Sequence, residues 1–381
     1  MKWIAVLLAL IVSPVSAVDI WTTVIGQAAA TLQAGQWVKI PSPTLTPLVI
    51  PYSHLYWSNS GLWDAQRQRF AQMSGSGACC EPPGKFRDLQ YDAANNVWTI
   101  SAPVWLTAGH AYDGNALDPA TGDRYFVRGS NSQSLVPPEI LKSTDGGATW
   151  AALPRIYPQP FQAISTTGSI AWFPDAQALV YIGSGNQVAA FRNGAWQSIP
   201  GVPVNAWYGD LTVSEYNPVH RAVWFGSSTS AGVGKSFRLD YNTGTQVFTV
   251  VALPAVPFPM KTGAAQHMTD HISGEHLIMR IGTSALPDRQ WWGYNLMTGV
   301  TRDIPELLNA PWMLDNNSYS AAHAFIPELG VFMAVHQFYT IREVYLYKHV
   351  AGAPPPPPPP PPDPCIPAEY NVQPPLAFCP A

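Results

Sequence analysis

Apolar residues along the chain fall in short runs, each closed by a cluster of Gly, Asn, Asp or Pro, a pattern that fits strands joined by turns better than helices. Two units alternate. One is a hairpin of short apolar strands: Leu62-Trp63 with Phe70 to Met73, Gly114 to Pro119 with Tyr125 to Val127, Ile170 to Phe173 with Leu179 to Ile182. It recurs as Val213 to Tyr216 with Ala222 to Phe225, Met268 to Ile272 with Leu277 to Ile281, and Ala321 to Ile326 with Val331 to Val335. The other is a trailing strand that follows a turn and runs into proline: Gly35 to Pro41, Asn96 to Pro103, Gly147 to Pro154, Gly194 to Pro200, Gly244 to Pro254 and Gly299 to Pro305. Their aromatic or equivalent positions, 37, 98, 150, 196, 248 and 301, stand 61, 52, 46, 52 and 53 residues apart. That is the repeat of a four-stranded propeller blade with its loops.

Six of each unit predict an all-β, six-bladed β-propeller over residues 34–350. The unit around Trp37 precedes the first hairpin, whereas the last hairpin and the strand Val344 to Tyr347 have no trailing strand after them. The N-terminal strand is therefore expected to complete the last blade, with Trp37 beside Val344 to Tyr347, leaving no open edge. A sandwich of Pro-terminated strands is the competing reading, but the repeat region exceeds a usual sandwich domain.

Outside the repeats the pattern changes at both ends. Lys2, the apolar run Trp3 to Val12, Pro14 and then Val15-Ser16-Ala17 predict a secretory signal peptide over 1–17, because the run is too short to span a bilayer. Residues 18–33 form an N-terminal segment without a repeat. At the other end, 351–364 is a linker containing nine consecutive prolines, Pro354 to Pro362. Such a run adopts polyproline II and spans about 28 Å at ~3.1 Å per residue. Residues 365–381 form a short tail in which Cys365 and Cys379 are expected to close a loop in an oxidising compartment. The tail reads either as a protease-resistant end or as a docking element. A secreted or periplasmic location follows, with no transmembrane segment.

Composition narrows the partners. The 381 residues are 47% hydrophobic and 12% charged, with a net charge of −4 and no basic tract, which argues for a buried core and against nucleic acid or anionic membranes.

Several motifs carry a family resemblance. Ala34-Gly35-Gln36-Trp37-Val38-Lys39-Ile40-Pro41, the turns at Tyr91-Asp92, Tyr241-Asn242 and Tyr294-Asn295, and Gly109-His110-Ala111-Tyr112-Asp113-Gly114 resemble kelch-type propellers of the galactose oxidase central-domain superfamily. Ser143-Thr144-Asp145-Gly146-Gly147-Ala148-Thr149-Trp150 is similar to the sialidase Asp-box. That resemblance implies a structural turn between the third and fourth strands of a blade, with Asp145 accepting backbone bonds and Trp150 packed between blades. A sialidase would also need an arginine triad and an early Arg-Ile-Pro, and no arginine precedes Arg67.

The resemblance to galactose oxidase would imply copper held by two His and two Tyr, one of them linked to Cys. The repeat region offers only Cys79 and Cys80, adjacent in a Gly/Pro loop and expected as a vicinal disulfide or two thiols, which argues against copper. No other cofactor is indicated. His267, His271 and His276 suggest a metal, yet strand residues four apart stand ~13 Å from one another at ~3.3 Å per residue, so packed or solvated histidines are the expected outcome.

The segments leading into the innermost strands are rich in aromatic residues: Tyr56 and Trp57; Trp105, His110 and Tyr112; Trp207 and Tyr208; Trp312 and Tyr319. Trp291 and Trp292 are expected in or just inside a further loop, and Gln266 and Asn317 supply amides. Rings for C–H faces beside amides and carboxylates such as Asp113 and Asp210 are what a sugar-binding face requires, although rings filling wedges between blades would look the same. The leading expectation is a secreted recognition protein for a glycan or another extracellular polymer, with docking through the tail. The alternatives are an oxidase, lyase or hydrolase on the same face, with candidates His110, Asp113, Asp210 and His267, or a purely protein-binding propeller.

Overall fold

The computed structural model describes residues 18–41, 44–45, 58–75, 86–101, 113–128, 139–154, 168–183, 187–201, 213–228, 234–257, 265–280, 290–304, 307, 320–338 and 341–350. Six separate sheets make up the fold, one per predicted blade. Blade 3 illustrates the plan: Ser169–Phe173, Ala178–Gly183, Gln187–Arg192 and Ala195–Ser198 pair in order, each antiparallel to the last. Blade 2 (Asn115–Leu117 to Ala151–Ala152), blade 4 (Val213–Asn217 to Val247–Ala252) and blade 5 (Ala265–Thr269 to Thr301–Asp303) repeat it. The innermost strands of successive blades contact one another, which makes them the wall of the ring's axis.

Closure follows the expectation. Gln36–Lys39 pairs antiparallel with Ile341–Lys348 as the outer strand of blade 6, and Trp37 faces Tyr347 with stacked rings 4.2 Å apart. Two short strands were not anticipated. Thr44–Leu45 adds parallel to Val97–Ile100 at the outer edge of blade 1, and Ser58–Ser60 adds parallel to Ser320–Ile326 at the inner edge of blade 6. Ser58–Ser60 also contacts the innermost strand of blade 5, so it narrows the axis itself.

The N-terminal segment is a helix, Val24–Thr31, capped by Thr23, whose hydroxyl accepts from the Gly26 N–H at 3.2 Å. Its Ile25 and Ala29 are buried with Phe70, Tyr91 and Trp98 of blade 1 and with Ile326, Met333 and Leu346 of blade 6, which seals the junction where the ring closes. No helix among the described residues is long and apolar enough to cross a membrane.

A left-handed residue closes most of the hairpin turns. Gln68, Gln177 and Arg221 have φ of 51°, 46° and 52°, and each directly precedes the second strand of its blade, the place taken by Gly274 and Gly330 in blades 5 and 6. Side chains support these turns from inside: Asp64, Asn217 and Asp270 each accept backbone N–H bonds from two or three residues ahead.

Candidate functional site

Three innermost strands bring ionisable side chains together at the axis. Asp113 stands just before Asn115–Leu117 in blade 2, and its carbonyl accepts from Ile170 N–H of blade 3. Its carboxylate reaches past blade 3 to accept from His267 Nε2 of blade 5, at 2.7 Å. The other ring nitrogen, Nδ1, lies 3.1 Å from Glu215 Oε2 of blade 4, whose second oxygen accepts from Thr269 N–H at 3.0 Å. Asp113 is fully buried and His267 is 5% exposed, so water screens their contact little, while the Glu215 side chain keeps 27% of its surface exposed.

Both ring nitrogens face carboxylate oxygens, so a proton occupies each N···O gap. Burial alone would push the imidazolium down, but Asp113 and then Glu215 outweigh it and hold His267 up at about 10. Burial likewise acts to raise Glu215, and its bond and charge interaction with His267, joined by its bond from Thr269, bring it down to about 2. Asp113 is pushed up by its complete burial, against the pull of His267. The charge distribution that satisfies this geometry is an imidazolium between two acceptor carboxylates. Asp113 Oδ1 and Ser214 Oγ are buried without a hydrogen-bond partner among the described residues.

Around this bridge the site is aromatic and amide-rich. Trp224 packs edge-on to His267 at 5.5 Å and against His276 at 4.8 Å. His276 is neutral: Asn217 Nδ2 donates toward its Nε2 at 3.1 Å, its Nδ1 donates to Thr269 Oγ1 at 2.7 Å, and burial lowers it to about 3. The hairpin, whose return strand pairs Thr269 with His276, puts the His267 and His276 imidazoles on the face turned to blade 4, where both are packed and buried. Among the described residues no group of three or more His, Cys, Asp or Glu is arranged to hold a metal.

Amide side chains clamp the ring at this level. Asn115 Oδ1 accepts from Met73 N–H and its Nδ2 donates to Met73 carbonyl, tying blade 2 to blade 1. Asn217 donates to Gly274 carbonyl, tying blade 4 to blade 5, and Gln266 donates to Ala321 carbonyl, tying blade 5 to blade 6. Gln266 is thus an inter-blade clamp with no exposure, rather than a free amide on a binding face.

Of the four proposed catalytic candidates, Asp113 and His267 are in contact, while His110 and Asp210 lie outside the described residues. The aromatic candidates Tyr56, Trp57, Trp105, Tyr112, Trp207, Tyr208, Trp312 and Tyr319, with Asn317, also lie outside them, as do Cys79, Cys80, Cys365 and Cys379. Trp291 and Trp292 do not belong to a loop: they sit in the third strand of blade 5, 1% and 5% exposed, as core. Sequence reasoning passed over Glu215, which shares a strand face with Val213 and bears no motif.

The Ser143 to Trp150 turn stands away from the axis, between the third and fourth strands of blade 2. Asp145 accepts from Thr149 N–H and Oγ1, Ser143 Oγ accepts from Gly147 N–H, and Trp150 packs on the Met73, Phe126 and Leu141 cluster between blades 1 and 2. Asp145 and Thr149 are both exposed.

No family model and no curated protein matches the chain. Among solved structures, the chain is similar in outline to a Penicillium chrysogenum alpha-L-arabinanase complexed with arabinobiose, at 10% identity and a TM-score of 0.48, over 82% of this chain and 99% of that one. The six-bladed β-propeller stands on the strand pairing within this chain.

Proposed function

We propose that this chain is an extracellular carbohydrate-binding propeller, related in plan to the kelch-type proteins, that takes its glycan over the axis at the leading ends of the innermost strands. The observation that carries this reading is the convergence of Asp113, Glu215 and His267 at the axis. Asp113 directly follows the aromatic segment 102–112, and Ser58–Ser60, which narrows the axis, directly follows Tyr56-Trp57. Segments 202–212 and 308–319 run in the same way into the innermost strands of blades 4 and 6. Charged groups at the axis, with aromatic residues in the sequence segments that lead to it, suit a sugar, which offers C–H faces for stacking and hydroxyls for polar groups.

A second reading, an enzyme acting on the same glycan, is favoured by one feature: the buried Asp113 Oδ1 has no partner among the described residues, beside an imidazolium. A glycan array probed with the full chain, followed by reducing-end release on every glycan that binds, separates the two. Binding should fall at least ~10-fold in Trp57→Ala and Trp105→Ala, the loss of about 1.4 kcal/mol or more of stacking. Unchanged binding in both variants would overturn the reading, and product release abolished by Asp113→Asn would establish the enzyme.

A further inference from the structure

The outermost strand of each blade is a sheet edge, whose backbone groups invite another strand unless the edge is short, charged or covered. Five of the six edges are managed in one of these ways. Val97–Ile100 of blade 1 is covered by Thr44–Leu45, and Ala151–Ala152 of blade 2 is two residues long. Ala195–Ser198 of blade 3 has four residues, and its Trp196 indole donates to the Pro154 carbonyl. Thr301–Asp303 of blade 5 carries Arg302 and Asp303, and Gln36–Lys39 of blade 6 carries Lys39, paired with Glu343. Val247–Ala252 of blade 4 is different. It is six residues long, all but the last β-branched or aromatic, and no charged residue occurs from Tyr241 to Met260.

The register decides which backbone groups of this strand face outward. Leu253 N–H donates to the Ser236 carbonyl, so Val251, Thr249 and Val247 take the bonded places opposite Arg238, Asp240 and Asn242. The N–H and C=O groups of Phe248, Val250 and Ala252 therefore point away from the sheet, and no described residue bonds to them. The side chains of Val247, Thr249 and Ala252 are exposed beside them. A second copy of the same strand fits this edge. With a twofold axis through Val250, antiparallel pairing sets Val250 against its counterpart and Phe248 against Ala252 of the other copy. Every outward N–H and C=O then finds a partner. The large Phe248 side chain stands opposite a single methyl, and Thr249 lies opposite Val251 with no charge on either side.

We infer that two copies of this chain pair edge to edge through Val247–Ala252 of blade 4, joining their two sheets into one. The edge stands at the rim of the ring, away from the axis, so this inference is independent of the glycan reading. Specific stable interfaces bury about 1,200–2,000 Å², and two six-residue edges offer less, so the pair is weak, with a Kd of about 0.1 mM. Amide hydrogen exchange read residue by residue by NMR, with sedimentation velocity on the same samples, tests it. From ~20 µM to ~1 mM the full chain should shift toward dimer, and the amides of Phe248, Val250 and Ala252 should exchange at least ~3-fold more slowly. Those of Thr249 and Val251, bonded within the blade, should keep their rates. Ala252→Pro removes one outward N–H and no bond of the blade, and Thr249→Lys brings a charge from each copy into the pair. Both variants should melt like the parent and stay monomeric at the higher concentration. Equal exchange at both concentrations, or protection of the three amides already present in the monomer, would overturn the inference. So would a dimer that forms with their rates unchanged or that survives both substitutions.

Discussion

His267 ties three blades together with one proton more than a histidine carries in water at neutral pH, and its neighbours His276 and His323 carry one fewer than they would in acid. Burial lowers both of those to about 3 and His271 to about 4, whereas Asp113 and Glu215 hold His267 up at about 10. Below pH ~6.5 the unfolded chain takes up protons that the folded His276, His323 and His271 refuse, so stability falls with pH, by up to about 1.4 kcal/mol per unit per group. Glu215, down at about 2, loses its contribution in the same direction, below its unfolded value. Above pH ~6.5 the folded His267 keeps a proton that the unfolded chain releases, so stability falls again as pH rises toward 10. Urea melts across pH should peak near pH 6.5, and His267→Gln should flatten the alkaline side; a slope there as steep as the parent's would contradict the assignment.

A second buried pair has no part in the site. Arg124 of blade 2 holds Asp88 of blade 1 through two bonds of 2.6 and 2.5 Å, both side chains 1% exposed. Gly147 covers it with φ of 97°, where a Cβ would stand 2.3 Å from Asp88 Oδ2. Arg124→Met should cost about 3–5 kcal/mol by leaving the buried Asp88 without its cation and with only Gln90 Nε2 donating to it, and adding Asp88→Leu should recover much of the loss. Chemical denaturation of the single and double variants measures both. None of this was legible in the sequence. Arg124 and Asp88 sit 36 positions apart, and only packing shows that they meet.

At the level of strands, the sequence was read most securely where turns punctuate it. Tyr91-Asp92, Tyr241-Asn242 and Tyr294-Asn295 each end a third strand, and Asp92, Asn242 and Asn295 each accept a backbone N–H from three residues ahead. Chemistry of that kind is local, so it is visible without a fold. Thr44–Leu45 and Ser58–Ser60 escaped notice because a two- or three-residue strand has no period, and parallel pairing at a sheet edge depends on what lies across it. Gln68, Gln177 and Arg221 escaped because their left-handed turns are of the kind that usually selects glycine or asparagine. The N-terminal helix was passed over because two turns are too short to hold by propensity and are held by burial of Ile25 and Ala29 against blades 1 and 6. Trp37→Ala should cost about 2–3 kcal/mol, since the half-buried ring loses its stack on Tyr347 at the seam. Thermal melting within a degree of the parent would mean that the seam carries little of the ring's stability.

Across the whole molecule, the ring and its closure could be read from periodicity because each blade repeats the same order of strands, and the axis could not. Asp113 and His267 were each marked as candidates, yet their contact spans 154 positions and passes over blade 3. Glu215 completes the bridge from a strand with no distinguishing pattern. A ligand over the axis would stand on the side of the leading strand ends, away from Trp37, Trp150 and Trp196, all in outer strands or the turns before them. Heteronuclear NMR of the full chain with labelled tryptophan, titrated with the best glycan from the array, tests that directly. Shifts in the indole N–H signals of Trp57, Trp105, Trp207 and Trp312, with Trp37, Trp150 and Trp196 unmoved, are the predicted result. Shifts confined to Trp37, Trp150 and Trp196 would place the ligand elsewhere and contradict the account.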